Sequence, residues 1–373
     1  MPARLRNFTK KLLIILNVFV IVFFLLACLA PHLDPQRWWF ISFLGLGFPF
    51  LLLAVFISVI WWLFIKPRYA IWPAVALILG IQSINVFLSF HTSSKFTQQK
   101  SPENIRVATW NVARFIEMKR NNNKGSQTRK KMLEQIKEQN ADIICMQEFF
   151  HSEDSTWYPN LDYVSNVLNY PYYYYSHDND GDKHFIGNVI FSRYPIIDSG
   201  MIRYPRPTLP ESLMHADIKV NDDTIRVFTT HLQSVQFQKA DYETIDKIKE
   251  AEDGLVSNSK TIFSKLRRGI SYRKIQTNIV RQVIDDSPFP VIFIGDLNDV
   301  PNSYTYFTIK GDMQDAFLRK GFGIGRTFSA LSPTLRIDYI FADREFKVKQ
   351  FNRLVRNYSD HYMIVSDLEY MGK

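Results

Sequence analysis

Phe289-Pro290-Val291-Ile292-Phe293-Ile294-Gly295-Asp296-Leu297-Asn298-Asp299 is the stretch whose reading decides the fold. From Val291 to Ile294, β-branched and aromatic residues follow one another without polar alternation, the pattern of a strand buried on both faces. Gly295 ends the apolar run. Asp296 and Asn298 come next, two apart, so in extended chain their side chains leave from one side. A buried strand delivering an acid and an amide to one point is a rigid mount for chemistry. An acidic turn closing a strand has the same letters, so the reading depends on what other strands carry at their ends.

Several carry polar groups. Residues 105–112 alternate into a strand with Asn111 at its end. A short amphipathic helix over 128–139, with Met132, Leu133 and Ile136 on one face, leads to a strand that ends in Gln147-Glu148. Two strand-like runs, 213–220 and 224–231, flank the turn signal Asn221-Asp222-Asp223, and the second ends at His231. Asp338 lies in the run 336–341, and Asp360-His361 follow shortly after. Packed sheets put equivalent strand ends on one rim. The eight candidate site residues are therefore Asn111, Glu148, His231, Asp296, Asn298, Asp338, Asp360 and His361.

Other candidates read as structural. His151, His177, His184 and His215 show no zinc spacing. Cys28 and Cys145 sit far apart in apolar runs and imply no disulfide framework, and Cys145 reads as core. No phosphate-binding glycine loop of P-loop or dinucleotide type is present, and residues 321–325 (Gly-Phe-Gly-Ile-Gly) read as a flexible loop near the rim.

The net charge of +9 is unevenly placed. Residues 1–90 hold seven Lys or Arg against Asp34 alone, and the remaining residues are nearly balanced. The high pI thus reports the first ninety residues, with little support for phosphate-backbone binding. Those residues contain three uncharged apolar runs, 12–30, 38–65 and 69–90, each near or above the length that crosses hydrocarbon as a helix. Trp38, Trp39, Trp61, Trp62, Tyr69 and Trp72 sit near their ends like an interfacial aromatic belt. Basic residues concentrate before the first run and between the second and third, which predicts a cytoplasmic N-terminus. Three crossings then put the rest on the extracytoplasmic side, periplasmic or extracellular. The competing reading takes residues 1–28 as a lipoprotein-like secretory signal, and it too exports the C-terminal region. The expected organisation is a membrane anchor over 1–91, a polar linker over 92–103 and a catalytic domain over 104–373.

In order, Trp110-Asn111, Gln147-Glu148, Thr230-His231-Leu-Gln233, Gly295-Asp296-Leu-Asn298, Arg336-Ile-Asp338-Tyr339 and Ser359-Asp360-His361 resemble the motifs of the endonuclease/exonuclease/phosphatase superfamily. The match covers roughly residues 104–370, and the chain looks like a membrane-anchored, bacterial-type member. The resemblance implies a four-layer α/β/β/α sandwich of two mixed sheets, here preceded by three transmembrane helices. It also implies a metal-dependent phosphoester hydrolase. Glu148 and Asn111 are then the expected metal side, with Asp360 a second carboxylate there. Asp296 is expected to orient or deprotonate the attacking water. Asn298 is expected to bond that water or a phosphoryl oxygen. His361 is expected on the phosphate with Asp338 behind its other ring nitrogen, and His231 near the leaving group or phosphate. Mg²⁺ is the expected cation, with Mn²⁺ or Ca²⁺ as substitutes, because hard cations take oxygen ligands.

The resemblance fixes the bond and leaves the substrate open. It favours a DNase I-like nuclease or phosphodiesterase, with Lys260, Lys265, Arg267, Arg268, Arg273 and Lys274 tracking a phosphate backbone. The alternative is a sphingomyelinase-like, phospholipase C-like or inositol-phosphatase-like enzyme acting on lipid headgroups, for which the lipid bilayer is substrate source as well as anchor. A catalytically inactive binding module is a third, remote reading.

Overall fold

The computed structural model describes residues 3–91, 96–208, 211–249 and 255–372. The first ninety residues form α1 (Ala3–Leu29), α2 (Trp39–Leu46), α3 (Phe48–Ile65), α4 (Pro67–Leu79) and α5 (Ile81–Phe87). α1 and α3 are each long and apolar enough to cross a membrane, and α4 with α5 is so only as a pair bent by 62°, the form of a broken span or a re-entrant loop. The second apolar run therefore splits at Gly47, leaving α2 as a separate short helix. The third run bends at Gly80. A Cβ there would stand 2.6 Å from the Phe24 ring, so glycine lets the bend pack directly on α1. Phe24, Ala27, Phe48, Val55, Ala76 and Phe87 form the bundle core. Ser58 donates its hydroxyl to Asn17, a polar tie between α3 and α1.

Beyond the bundle, two mixed sheets stack. The first runs β14 (Phe346–Leu354), β15 (Met363–Tyr370), β2 (Asn104–Asn111), β3 (Ile143–Ser152), β6 (His184–Ser192), β4 (Tyr172–Tyr175), with β5 (Asp178–Asn179) on β6. The second runs β11 (Gln314–Asp315), β13 (Asp338–Ala342), β10 (Val291–Asp296), β9 (Asp223–His231), β8 (Ser212–Val220), β7 (Ile196–Arg203). In each sheet one central pair is parallel, β2 with β3 and β9 with β10.

Side-chain alternation builds the layers. Ile292 and Ile294 of β10 meet Ile105, Val107, Ile143 and Cys145 between the sheets. Phe293 faces outward with Val280 and Ile284 of α9 (Leu255–Asp285) and Tyr306 of α10 (Tyr304–Lys310). On the first sheet, Ile144 and Met146 pack on Met132, Leu133 and Ile136 of α6 (Thr128–Gln139). Each such fully buried side chain contributes about 1.5–3 kcal/mol. This is the expected four-layer α/β/β/α order. Smaller elements, α7 (Asn160–Asp162), α8 (Lys239–Lys249) and α11 (Ala316–Lys320), lie in the connections.

The helical bundle is clamped to the sandwich. Arg336, buried and ion-paired to Asp315 at 2.6 Å, donates Nη2 to the Val86 carbonyl at the end of α5. Asn302 donates Nδ2 to the Ala27 carbonyl of α1 at 2.9 Å. Gly45 of α2 sits so close to Asn302 that a Cβ would stand 2.8 Å from its carbonyl oxygen. β1 (Ser89–Phe90) pairs with β12 (Phe322–Gly323), so residues 321–325 form a seam with the N-terminal segment where a flexible loop was expected. Within the predicted linker, residues 92–95 lie outside the described residues. Phe96 packs under the Arg106 guanidinium and Lys100 pairs with Asp142 at 2.5 Å.

Candidate active site

Strand register assembles the site. In the second sheet Asp296 lies opposite His231 on β9 and opposite Asp338 on β13. Gly295 precedes Asp296 because β9 and β10 approach closely there: a side chain would run into the Thr230 backbone. In the first sheet Asn111 ends β2 beside Gln147. Between Met146 and Phe149 the β3 register slips against β6, and Glu148 takes φ +50°. Such a bulge re-aims a side chain at a sheet rim, here turning Glu148 into the cleft. Below it, buried Gln147 accepts from Thr109 (3.2 Å) and donates to Thr229 Oγ1 (3.1 Å), joining the two sheets under the site.

The sequence-derived residues converge. Asp296 is buried, and its Oδ1 accepts the Asn298 backbone N–H at 2.8 Å. Asn298 takes φ +50° and donates Nδ2 to the Leu232 carbonyl, so its amide is engaged with the neighbouring strand end. Asp296 Oδ2 stands 3.6 Å from His231 Nε2 and 3.7 Å from His361 Nε2. His361 Nδ1 lies 2.9 Å from Asp338 Oδ2, the expected pairing. His361 is further fixed by its carbonyl, which accepts from Trp110 Nε1, and by its N–H, which donates to Ser359 Oγ. Asp360 is exposed at the mouth, its Oδ1 accepting from Ser359 Oγ at 3.2 Å.

One carboxylate escaped the sequence reading. Glu211 Oε2 stands 2.9 Å from His231 Nδ1, so the two histidines are matched: each has an acid behind Nδ1 and Nε2 toward Asp296. The signal was present. The two-residue turn between Val220 and Asp223 sets the register, pairing Leu213 with Thr230. Counting on carries Glu211 to the rim beside His231.

Electrostatics follow from this enclosure. Burial by itself would lower the pKa of His231, but the Glu211, Asp296 and Glu148 carboxylates outweigh it and raise it to about 10. For His361, burial is likewise overridden by Asp338, Asp296 and Asp360, again to about 10. Asp296 is pushed up to about 6 by burial and by Asp338, against the lowering pull of the two histidines. Burial also raises Glu211 and lifts the Cys145 thiol to about 12, as suits a core residue.

Two groupings could receive a cation. Ligand atoms of Asp296, Asp338 and His361 all lie within 4.8 Å of one another, the one such cluster among the described residues. In it, however, Asp338 is committed to His361. On the other side, the Asn111 amide nitrogen lies 3.1 Å from Glu148 Oε1 and 3.3 Å from Asp296 Oδ2, a single neutral donor between two carboxylates. An all-oxygen acidic pair of this kind suits a hard divalent ion.

The endonuclease/exonuclease/phosphatase family profile matches residues 108–361. The chain belongs to the endonuclease/exonuclease/phosphatase family. As a member it is a phosphoester hydrolase, of a family that generally uses divalent metals. Residues 10–87 match a second family described as a domain of unknown function. Among solved structures, an endonuclease/exonuclease/phosphatase from Beutenbergia cavernae is 21% identical, with 72% of each chain covered and a TM-score of 0.50. The human Nocturnin catalytic domain with bound sulfate is 16% identical, covering 73% of this chain and 96% of its own, TM-score 0.46. Danio rerio TDP2 with a single-strand DNA product is 15% identical, covering 71% and 98%, TM-score 0.45. No curated protein matches.

Proposed function

We propose that residues 104–373 form a divalent-metal-dependent phosphodiesterase, held by residues 1–91 on the extracytoplasmic face of a membrane. The observation that carries this is the convergence of two imidazoles and one carboxylate: His231 and His361, each backed by an acid, both point Nε2 at Asp296 Oδ2. Two fixed cationic donors suit the non-bridging and leaving oxygens of a phosphodiester, where charge develops in the transition state. Asp296, with Oδ1 held by Asn298, turns Oδ2 toward Asn111 Nδ2 and the two histidines, where it would take the proton of the attacking water. Its pKa near 6 lets it act as base above that pH.

Glu148, with Asn111 beside it, would hold the cation, and Asp360 adds negative charge at the mouth. A bound Mg²⁺ or Mn²⁺ supplies charge neutralisation on the phosphoryl oxygens. Water oxygen bonds to phosphorus as its proton passes to Asp296, the phosphorus–oxygen bond to the leaving alcohol breaks, and His231 gives that oxygen a proton. His361 stays protonated on a non-bridging oxygen. The expected test result is hydrolysis of bis(p-nitrophenyl) phosphate by the full-length protein with Mg²⁺, lost in His361→Ala. Undiminished turnover in that variant would overturn the assignment.

Four of the six basic residues offered as a nucleic-acid track have partners within the protein. Lys265 is paired to Asp241, Lys274 to Asp34, and buried Arg273 to Asp299, while Arg267 lies over Trp39. Lys274 and Arg267 thereby join the domain to the N-terminal segment, and Lys265 and Arg273 tie parts of the domain to each other.

A further inference from the structure

We infer that the substrate is a bilayer lipid phosphodiester whose acyl part lies against the anchor helices, a conclusion that rests on the phosphodiesterase reading above. The cleft that holds Asn111, Glu148, His231 and His361 has a volume of about 580 Å³ and does not end at the polar residues. Its lining also includes Val235, Phe237, Leu266, Leu335, Leu46 and Phe50. Leu46 closes α2 and Phe50 lies in the first turn of α3, a helix apolar enough to span a membrane. One cleft is thus lined in part by charged chemistry and in part by the wall of a candidate membrane span. A soluble phosphoester has no use for the second half, whereas an amphiphile needs both.

The junction is tied at several points. Asn302 to Ala27, Arg336 to Val86, Lys274 to Asp34 and the edge contact of Phe43 with Phe263 fix the bundle against the sandwich. Buried Arg273 and Gln276 of α9 hold the backbone of Gln233, and so the wall that begins at Ser234. Around the junction, Trp38, Phe40, Phe90, Phe263 and Phe322 are exposed, Phe90 and Phe322 on the paired strands β1 and β12. Exposed aromatics at the end of a spanning bundle suit the headgroup level of a bilayer.

Chain continuity assigns the bond. The apolar wall at Val235 and Phe237 follows directly from His231, the proton donor to the leaving oxygen. The leaving alcohol is therefore the acyl-bearing one. Water oxygen joins phosphorus and the bond from phosphorus to the lipid alcohol oxygen breaks. Asp296 takes the water proton and His231 protonates the alcohol, which releases a phosphorylated headgroup and a neutral lipid.

The test uses full-length protein with Mg²⁺ in non-ionic detergent. Substrates are monomeric phosphatidylcholines from butanoyl to heptanoyl chains, glycerophosphocholine, a single-stranded oligonucleotide and bis(p-nitrophenyl) phosphate. We expect kcat/KM to climb with chain length, and phosphocholine as the product. Leu46→Arg on the anchor side and Leu335→Arg on the domain side should each flatten that slope, lowering heptanoyl turnover about tenfold relative to the nitrophenyl diester. Equal rates on glycerophosphocholine and the long-chain lipid, a preference for the oligonucleotide, or choline as product would overturn the lipid inference and leave the phosphodiesterase standing. Failure to cleave the nitrophenyl diester, with every other substrate untouched, would overturn both.

Discussion

Asn302 donates its side-chain amide to the backbone carbonyl of Ala27 at 2.9 Å, tying the loop that follows Asp296–Asn298 to the C-terminal turn of the first apolar helix. The catalytic strand is thereby joined to the N-terminal helical bundle, and Arg336 repeats the connection at α5.

Arg336 should be the costliest of these ties to cut. It is buried, ion-paired to Asp315 and stacked near Phe317 and Tyr339. Arg336→Ala leaves the Asp315 charge buried without its partner, which costs about 3–5 kcal/mol. Asn302→Ala removes one neutral hydrogen bond, worth about 1 kcal/mol. Chemical denaturation of the full-length protein in micelles should show that order, and equal losses would contradict it.

Glu211 acts on the reaction through His231. Glu211→Gln keeps the shape and removes the charge that most raises the histidine. We expect kcat to fall about 10–100-fold at pH 8, within the range a general acid supplies, with KM little changed. A KM effect alone would make Glu211 a packing residue.

The two histidines also set the alkaline limit. Both hold their protons up to about 10, so activity that needs imidazolium persists through neutral pH and is lost as pH rises through that value. On the acid side, Asp296 must lose its proton, so activity rises with pH through about 6. Asp338→Asn removes the main support of His361. If its pKa returns toward the ordinary value of about 6.5, only about 3% stays protonated at pH 8, a loss of roughly thirtyfold. A pH–rate profile identical to that of the unaltered protein would contradict the pairing.

Chelation should abolish turnover, and added Mg²⁺ or Mn²⁺ should restore it. In Glu148→Gln the metal concentration for half-maximal rate should rise by at least the roughly 10–100-fold that loss of an outer metal-site group costs. Activity indifferent to EDTA would remove Glu148 from the assigned role.

Much of the site was legible because strand ends carry it. Asp296, His231 and Asp338 are adjacent in register, so reading where each apolar run stops locates them. Glu211 was hidden because it sits at the beginning of a strand, and only the hairpin register set by the Asn221-Asp222 turn carries it to the rim. The sandwich was legible for the same reason, through apolar runs of strand length. The N-terminal helices were legible as apolar length and opaque as geometry. Nothing local says that Gly47 splits the second run, that Gly80 makes room for Phe24, or that Leu46 and Phe50 reach the catalytic cleft. Those are long-range contacts, and composition does not encode them. The basic residues of α9 show the same limit. Their spacing suited a phosphate track, and their partners, Asp34, Asp241 and Asp299, lie on separate segments.

The most direct measurement follows oxygen into phosphorus. Full-length protein would turn over a phosphodiester with Mg²⁺ in ¹⁸O-labelled water, and ³¹P NMR would read the product, with Asp296→Asn in parallel. We expect one ¹⁸O on phosphorus in the phosphomonoester, and a rate about 10²–10⁴-fold lower in the variant, the range of a lost general base. Label appearing in the alcohol, or an unchanged rate in Asp296→Asn, would contradict attack of an Asp296-held water on phosphorus.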